Sequence, residues 1–417
     1  MVLKAYKYRI YPTKTQEVLL VKHFGCARYI YNYGLERKIK SYAETQKSLS
    51  RFAIQSDLPK LKRAEETKWL AEVNSLSLHA ALLNLDRAFT RFFKEKQGFP
   101  KFKSKHDNNQ SFQVPQNTTV DFDTHKVSIP KFKEDIKCKF DRRFRGKIKT
   151  STVSRTPTGK YFISILVETD VYPVNKAPID ENKAVGVDLG IKTFATLSDG
   201  TEIQNPKNLK KSLKKLKRMQ RSVSRKVKGS NSRRKAVKLL AIQYEKVTNR
   251  RKDFLHKASR FLIDHYDTIC LETLAAANMM KNHRLAQALS DISLGKFNTY
   301  MDYKAEWYGK NIIRIGRFEP SSKMCSCGHI YKELTLKDRV WTCPVCGSVN
   351  QRDLLAANNI KKFAFKSNNT AGTVGIYAGG DMKPVMEAAP EITQADVGET
   401  HTSLACGYFI KEQQNEH

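Results

Sequence analysis

Acidic residues are what this chain has too few of. Its 417 residues include 41 Asp and Glu against 75 Lys and Arg, a formal charge of +34 at pH 7. Such an imbalance is a poor fit to small-molecule metabolism and a good fit to a polyanionic partner. Long apolar runs are also missing, and the opening stretch MVLKAYKYRIYP has no apolar stretch of the kind a secretory leader needs. The expected compartment is therefore the cytoplasm, with no membrane partner. There the eight cysteines are not expected to pair as disulfides, and any that cluster are candidate metal ligands. The cations are spread through folded-looking segments rather than gathered on one amphipathic helix, which argues against a membrane-surface protein.

The length suggests several domains. Leu3 to Tyr11 alternates like a strand, and Thr13 with Gln16 has the spacing of a capping box. A helix carrying Leu19, Leu20, Phe24, Ala27 and Ile30 is expected next, and Leu78, Leu82, Leu85, Phe89 and Phe92 predict another. Tyr29, Tyr31 and Tyr33 could stack on bases, though core roles suit most of them better. From Gly98 onward the chain turns basic, aromatic and rich in short alternating runs, with a hairpin turn expected at Pro157 to Lys160. These runs predict an antiparallel β-barrel or sandwich. Lys101, Lys103, Arg142, Arg143, Arg145 and Lys147 would give it a face for phosphates.

Two long basic helices follow. Leu209, Leu213, Leu216, Val223 and Val227 mark the stripe of the first, and Val237, Leu240, Tyr244, Val247, Phe254, Ala258 and Phe261 that of the second. A helix around Phe297, Met301 and Trp307 and a strand at Ile312 to Ile315 complete this region. Past Lys366 the carboxylates outnumber the lysines and periodicity fades, as in a mobile tail.

Three carboxylates stand out against the general shortage. Asp188 ends the apolar run in VGVDLGIKTF, Glu272 ends the one in TICLETL, and Asp353 opens the helix-like QRDLLAANNI. Burying an unpaired acid is costly, and several that converge usually hold a divalent cation. Oxygen ligands with open water positions suit Mg²⁺ or Mn²⁺, and a two-metal site would stabilise both oxygens of an in-line phosphoryl displacement. Gly186 and Gly190 beside Asp188 are expected to let substrate backbone approach.

Cys325 and Cys327 in CSCG, then Cys343 and Cys346 in CPVCG, have the pattern of a zinc ribbon. The first pair is one residue shorter than usual, and His329 lies close enough in sequence to serve as a substitute ligand. Cys26, Cys138, Cys270 and Cys406 are isolated and read as inert.

Taken in order, KYRIYPTKTQ, GCARYIYNYGL, AEETKWLAEVNSLSL, GFPKFKSK, GVDLGIKTFAT, NRRKDFLHK, SSKMCSCG, WTCPVCG and QRDLLAANNI resemble the TnpB family, transposon-encoded RNA-guided DNA endonucleases related to type V CRISPR effectors. The resemblance implies a multidomain α/β architecture. Residues 1–11 and 98–178 would form a β-barrel wedge domain, and 12–97 a helical recognition domain. Residues 179–365 would form a ribonuclease H-like (RuvC) nuclease with a zinc ribbon at 320–350, leaving 366–417 as the tail. It also implies Asp188, Glu272 and Asp353 as catalytic Mg²⁺ ligands, and Cys325, Cys327, Cys343 and Cys346 as Zn²⁺ ligands. A guide RNA from the transposon end would direct cleavage of double-stranded DNA beside a short adjacent motif. Base-reading residues would be sought in Arg51 to His79 and Lys101 to Gln113.

Two departures from the family pattern matter. The first zinc knuckle is short, and the usual D-R-D-x-N motif reads Gln351-Arg352-Asp353-Leu354-Leu355. Losing residues that orient metal ligands typically costs about 10–100-fold in affinity or activity. The competing expectation is thus an RNA-guided DNA-binding protein that acts by occupancy, as a repressor would, with weak or lost cleavage.

Overall fold

The computed structural model describes residues 2–107, 110–170, 174–274, 276–335 and 338–370. Nearly all of the tail expected from 366 onward falls outside them. The chain divides into two compact units, one ending at residue 172 and the other starting at 173.

The first unit opens with strand β1 (Val2–Tyr11) and helix α1 (Lys14–Thr45). Short helices α2 (Arg51–Gln55) and α3 (Leu58–Arg63), a tight 3₁₀ turn at Lys68–Glu72 and helix α4 (Ser75–Glu95) follow. Six more strands complete it: β2 (Gln110–Val114), β3 (Thr119–Asp121), β4 (Lys126–Ser128), β5 (Ile136–Lys139), β6 (Lys147–Arg155) and β7 (Tyr161–Thr169). The chain leaves β1 for α1 at the expected capping box. Thr13 Oγ1 accepts from Gln16 N at 3.3 Å while Gln16 Oε1 accepts from Thr13 N at 3.0 Å.

The seven strands run in the order β2-β6-β7-β1-β5-β4-β3, with every pairing antiparallel. Among the described residues the end strands β2 and β3 do not pair, so hydrogen bonds leave the sheet open. Strand β7 buries Tyr161, Ile163, Ile165, Val167 and Thr169 at alternate positions, the period of a half-covered sheet. Its covered face shares one core with the helices: Tyr8, Ile10 and Ile163 lie in the same buried cluster as Leu20, Phe24, Ile30, Leu78 and Leu82.

The second unit begins with β8 (Ala184–Leu189), β9 (Thr193–Leu197) and β10 (Glu202–Gln204). Helices α5 (Asn208–Ser224) and α6 (Asn231–His265) form the expected basic hairpin. Leu216, Val223, Leu240 and Val247 supply a small core of its own, whereas Val227 lies past the end of α5 and is exposed. Next come β11 (Thr268–Glu272), α7 (Ala276–Met279), α8 (His283–Ile292), α9 (Leu294–Tyr308) and β12 (Asn311–Ile315). The hairpin β13 (Val340–Thr342) and β14 (Val349–Gln351) leads into α10 (Arg352–Thr370).

Five strands make one sheet in the order β10-β9-β8-β11-β12, with β8, β11 and β12 pairing in parallel and β9 antiparallel to both of its neighbours, β8 and β10. Helices α6, α8 and α9 cover one face through Leu255, Leu262, Leu289, Phe297 and Met301. Helix α10 covers the other, where Ile360 and Ala364 meet Cys270 and Ile315. Burial on both faces explains why TICL reads as an unbroken apolar run. No helix among the described residues is long and apolar enough to cross a membrane.

Candidate metal centres of the second unit

Strands β8 and β11 pair in parallel with Val187 opposite Leu271. Asp188 and Glu272 each follow one residue later, so they stand side by side where the two strands end. Asp353 comes from the first turn of α10, where an acid also suits the positive end of the helix. These groups feel one another. Burial, then the charges of Glu272 and Asp353, push the Asp188 carboxyl up to about 7, against the opposing pull of Arg352 and Arg339.

Each of the other two acids has a specific partner. The Ser321 hydroxyl donates to Glu272 Oε1. Arg339 Nη1 donates to Asp353 Oδ1 at 2.9 Å and to Oδ2 at 3.1 Å. Asn359, buried on α10, donates from Nδ2 to the carbonyls of Ser321 at 2.8 Å and Met324 at 2.6 Å. That amide fastens the base of the cysteine ribbon to the helix that carries Asp353. Ser321 and Asn359 lie within the quoted segments SSKMCSCG and QRDLLAANNI, but nothing in the sequence singles out either of them or Arg339, because their roles depend on which distant groups they meet.

The two glycines near Asp188 serve backbone packing. A Cβ on Gly186 would lie 2.0 Å from the Ala357 carbonyl oxygen of α10, and one on Gly190 would lie 2.8 Å from the Thr193 carbonyl oxygen. The close approach expected of substrate is made at these positions by the chain itself.

Each cysteine pair sits on a tight turn closed by backbone hydrogen bonds, Cys325 N to His329 O at 2.8 Å and Cys343 N to Ser348 O at 2.9 Å. Gly328 and Gly347 follow the second cysteine of each turn with φ of +91° and +70°. The short first knuckle still points both thiols inward: Cys325 Sγ is 3.6 Å from Cys346 Sγ, and Cys327 Sγ is 3.7 Å from Cys343 Sγ. All four sulfurs lie within 4.8 Å of one another, and His329 is not among the gathered groups. The Ser348 hydroxyl lies 3.1 Å from Cys325 Sγ and 3.2 Å from Cys346 Sγ, and its hydrogen bonding draws both thiol pKa values down. Four gathered sulfurs, of which Cys325 and Cys346 are drawn toward the thiolate while Cys327 is shifted the other way, are a donor set suited to Zn²⁺. Among the described residues no other group of potential ligands gathers this tightly, the three carboxylates included. Leu355, where the family pattern has a polar residue, packs instead against the ribbon cluster of Cys325, Leu334, Trp341 and Cys343.

The basic hairpin is anchored nearby by another acid that sequence reasoning missed. Asp291 on α8 accepts from Leu209 N through both carboxylate oxygens at 3.0 Å, capping α5, and pairs with Arg251 of α6 at 3.5 Å.

Comparison with known proteins places the chain. A family described as "Probable transposase" matches residues 163–283, one described as "Helix-turn-helix domain" matches 1–47, and one described as "Cas12f1-like, TNB domain" matches 295–360. Over residues 2–45 the structure has one strand and one long helix. A Streptomyces pristinaespiralis protein named "Putative RNA-guided DNA endonuclease" is 36% identical over 93% of this chain and 94% of its own length. The Escherichia coli protein "Putative RNA-guided DNA endonuclease InsQ" is 29% identical over 94% of this chain and 99% of its own. The fold is shared with the protein in "Cryo-EM structure of the Cas12f1-sgRNA-target DNA complex", at a TM-score of 0.53 and 14% identity, covering 86% of this chain and 98% of that one. The chain belongs to the TnpB family of transposon-associated proteins.

Proposed function

We propose that the protein is an RNA-guided, divalent-metal-dependent DNA endonuclease that cuts target DNA beside a short adjacent motif. The observation that carries this reading is the electrostatic coupling of Asp188 to Glu272 and Asp353, whose negative charges add to burial in pushing the Asp188 carboxyl up, as in a site that suits a cation. The names of the relatives point the same way. So does the sheet order of the second unit, in which β9 alone runs against the other four strands, which suits a ribonuclease H-like (RuvC) nuclease.

In this reading residues 179–365 are the nuclease and 320–350 its zinc ribbon, while 12–97 recognise nucleic acid and 1–11 with 98–178 form the wedge. Asp188, Glu272 and Asp353 would hold Mg²⁺ or Mn²⁺, and Cys325, Cys327, Cys343 and Cys346 would hold Zn²⁺. A divalent cation there supplies Lewis-acid polarisation and charge stabilisation for phosphodiester hydrolysis. Ser321 orients Glu272, and Asn359 keeps the α10 carboxylate in register with the ribbon. Lys and Arg side chains along α5 and α6 offer the phosphate contacts, so binding should weaken steeply with salt. The partners are a guide RNA from the transposon end and double-stranded DNA.

The second reading is RNA-guided binding with weak or lost cleavage. It is favoured by the Arg339 grip on Asp353 and by carboxylates that stand apart rather than closing on one point. One experiment separates the two. The ribonucleoprotein is incubated with a plasmid library carrying the guide-matched target and randomised flanks, with Mg²⁺ or with EDTA. Double-strand breaks that require Mg²⁺ and vanish in Asp188→Ala establish the nuclease. Guide-dependent retention of target without breaks establishes the binder.

A further inference from the structure

The first unit holds a cavity of about 440 Å³ between α1 and the Lys68–Glu72 turn. Its wall is aromatic. Trp69 is fixed by its indole N–H, which donates to Glu66 O at 3.0 Å, and meets Tyr29 edge to face at 5.1 Å between ring centroids. More than a third of Trp69 remains exposed, at 36%. The α1 side is open because Gly25 has no side chain, and a Cβ there would meet only an Arg28 guanidinium nitrogen, at 4.0 Å. Arg28 lines the cavity, and no hydrogen bond or ion pair to it is made among the described residues. Lys22 and Glu72 pair with each other across the lining.

A rigid aromatic wall, an unneutralised guanidinium and an acceptor carboxylate together match one kind of ligand. A nucleobase stacks on an aromatic ring for about 1–3 kcal/mol, its phosphate pairs with Arg, and a carboxylate accepts from an exocyclic amino group. A base inside a duplex has both faces stacked and cannot use such a wall. We propose that this cavity receives one unpaired base of a bound nucleic acid, stacked against Trp69 with its phosphate on Arg28. The proposal rests on the nucleic-acid reading given above and assigns that reading a defined contact in the first unit.

The test uses the full-length ribonucleoprotein, without and with matched target DNA. It is irradiated with short-wavelength ultraviolet light, digested, and mapped by mass spectrometry for peptides bearing a nucleotide. Adducts are expected on the peptides carrying Trp69 or Tyr29. An adduct with RNA alone assigns the base to the guide, and one that needs the target assigns it to the DNA. Gly25→Leu should fill the cavity while improving helix propensity, and should cut these adducts about tenfold while leaving others unchanged. Trp69→Leu, which keeps an apolar wall but removes the stacking surface, should act likewise. Adducts elsewhere with none at these peptides would overturn the proposal and leave the nucleic-acid reading standing, as would equal yields in the parent and both variants. Absence of any adduct, together with no co-purified RNA, would overturn both.

Discussion

A single guanidinium nitrogen, Nη1 of Arg339, donates to both carboxylate oxygens of Asp353, at 2.9 and 3.1 Å. Arg339 lies next to the ribbon strand β13 and Asp353 opens α10, so the bridge joins the ribbon to the third candidate metal ligand. A cation at that carboxylate must compete with it. The pair is half-exposed, and such bridges contribute about 0.2–1 kcal/mol. Arg339→Gln should therefore lower the Mg²⁺ concentration for half-maximal cleavage by up to about fivefold, read from a metal titration of plasmid cutting. An unchanged requirement would show that the bridge does not compete with the cation, and a higher one would make Arg339 an aid to metal binding.

The four sulfurs predict one bound zinc per chain, measurable by metal analysis of the purified protein. Apparent binding free energies of structural zinc run to about 10–16 kcal/mol, so its removal should unfold the ribbon rather than loosen it. Cys343→Ser should lose the metal and open residues 321–351 to trypsin. Asp188 should then lose the neighbours that Asn359 and Ser321 hold in place, and cleavage should fall with it. His329→Ala should keep its zinc, since His329 stands outside the gathered ligands. Zinc loss in that variant would show that the short knuckle recruits the imidazole.

Much of this arrangement was legible in the sequence, for identifiable reasons. The Thr13–Gln16 box and the α4 stripe are local patterns, and local patterns survive folding. The runs that end in Asp188 and Glu272 are apolar because both sheet faces are covered, so their strand character could be read. What could not be read was which segments meet. The first unit's core unites residues as far apart as Tyr8, Leu82 and Ile163, and no local pattern encodes that closure. Gly186 beside an acid looked like room for substrate, because a sequence does not say whose backbone comes close. Val227 and Val237 continued an apolar stripe in sequence yet are exposed: Val227 lies past the end of α5, and Val237 stays outside a hairpin core that its neighbour Ala236 packs against.

Gly186 can be tested directly against Gly34. A Cβ on Gly186 would come within 2.0 Å of a backbone oxygen and 2.9 Å of a backbone nitrogen of α10, whereas one on Gly34 would meet the Leu82 and Leu85 side-chain methyls at 2.7 and 3.0 Å. Methyls can swing aside, but a helix backbone must move whole. Overpacking a core costs about 1–3 kcal/mol, and Gly186→Ala should reach or exceed the top of that range. Gly34→Ala should cost less, partly offset by about 1 kcal/mol of helix propensity. Thermal unfolding of the two variants should rank them in that order, and the reverse ranking would mean that α10 does not lie so close to β8.

His23 ties α1 to the segment before α4 and should make the first unit sensitive to acid. Its ring stacks on Phe112 at 4.7 Å, its Nδ1 lies 2.9 Å from the Leu19 carbonyl oxygen, and its Nε2 accepts from Asn74 N at 3.2 Å. A nitrogen that accepts cannot carry a proton, so the folded unit requires neutral imidazole. Burial lowers its pKa from 6.5, aided by Lys131 and opposed by the Leu19 hydrogen bond. The unfolded chain then binds the proton more readily, so His23 contributes stability that is complete above 6.5 and lost as pH falls toward the folded value. The slope from this one group can approach about 1.4 kcal/mol per pH unit. Hydrogen exchange of α1 peptides, followed from about pH 7.5 to pH 5, should show protection falling in the parent. His23→Gln should be less protected at neutral pH but lose little more on acidification. A variant profile as steep as the parent's would assign the acid sensitivity to another group, with His79, also lowered by burial, the first to examine.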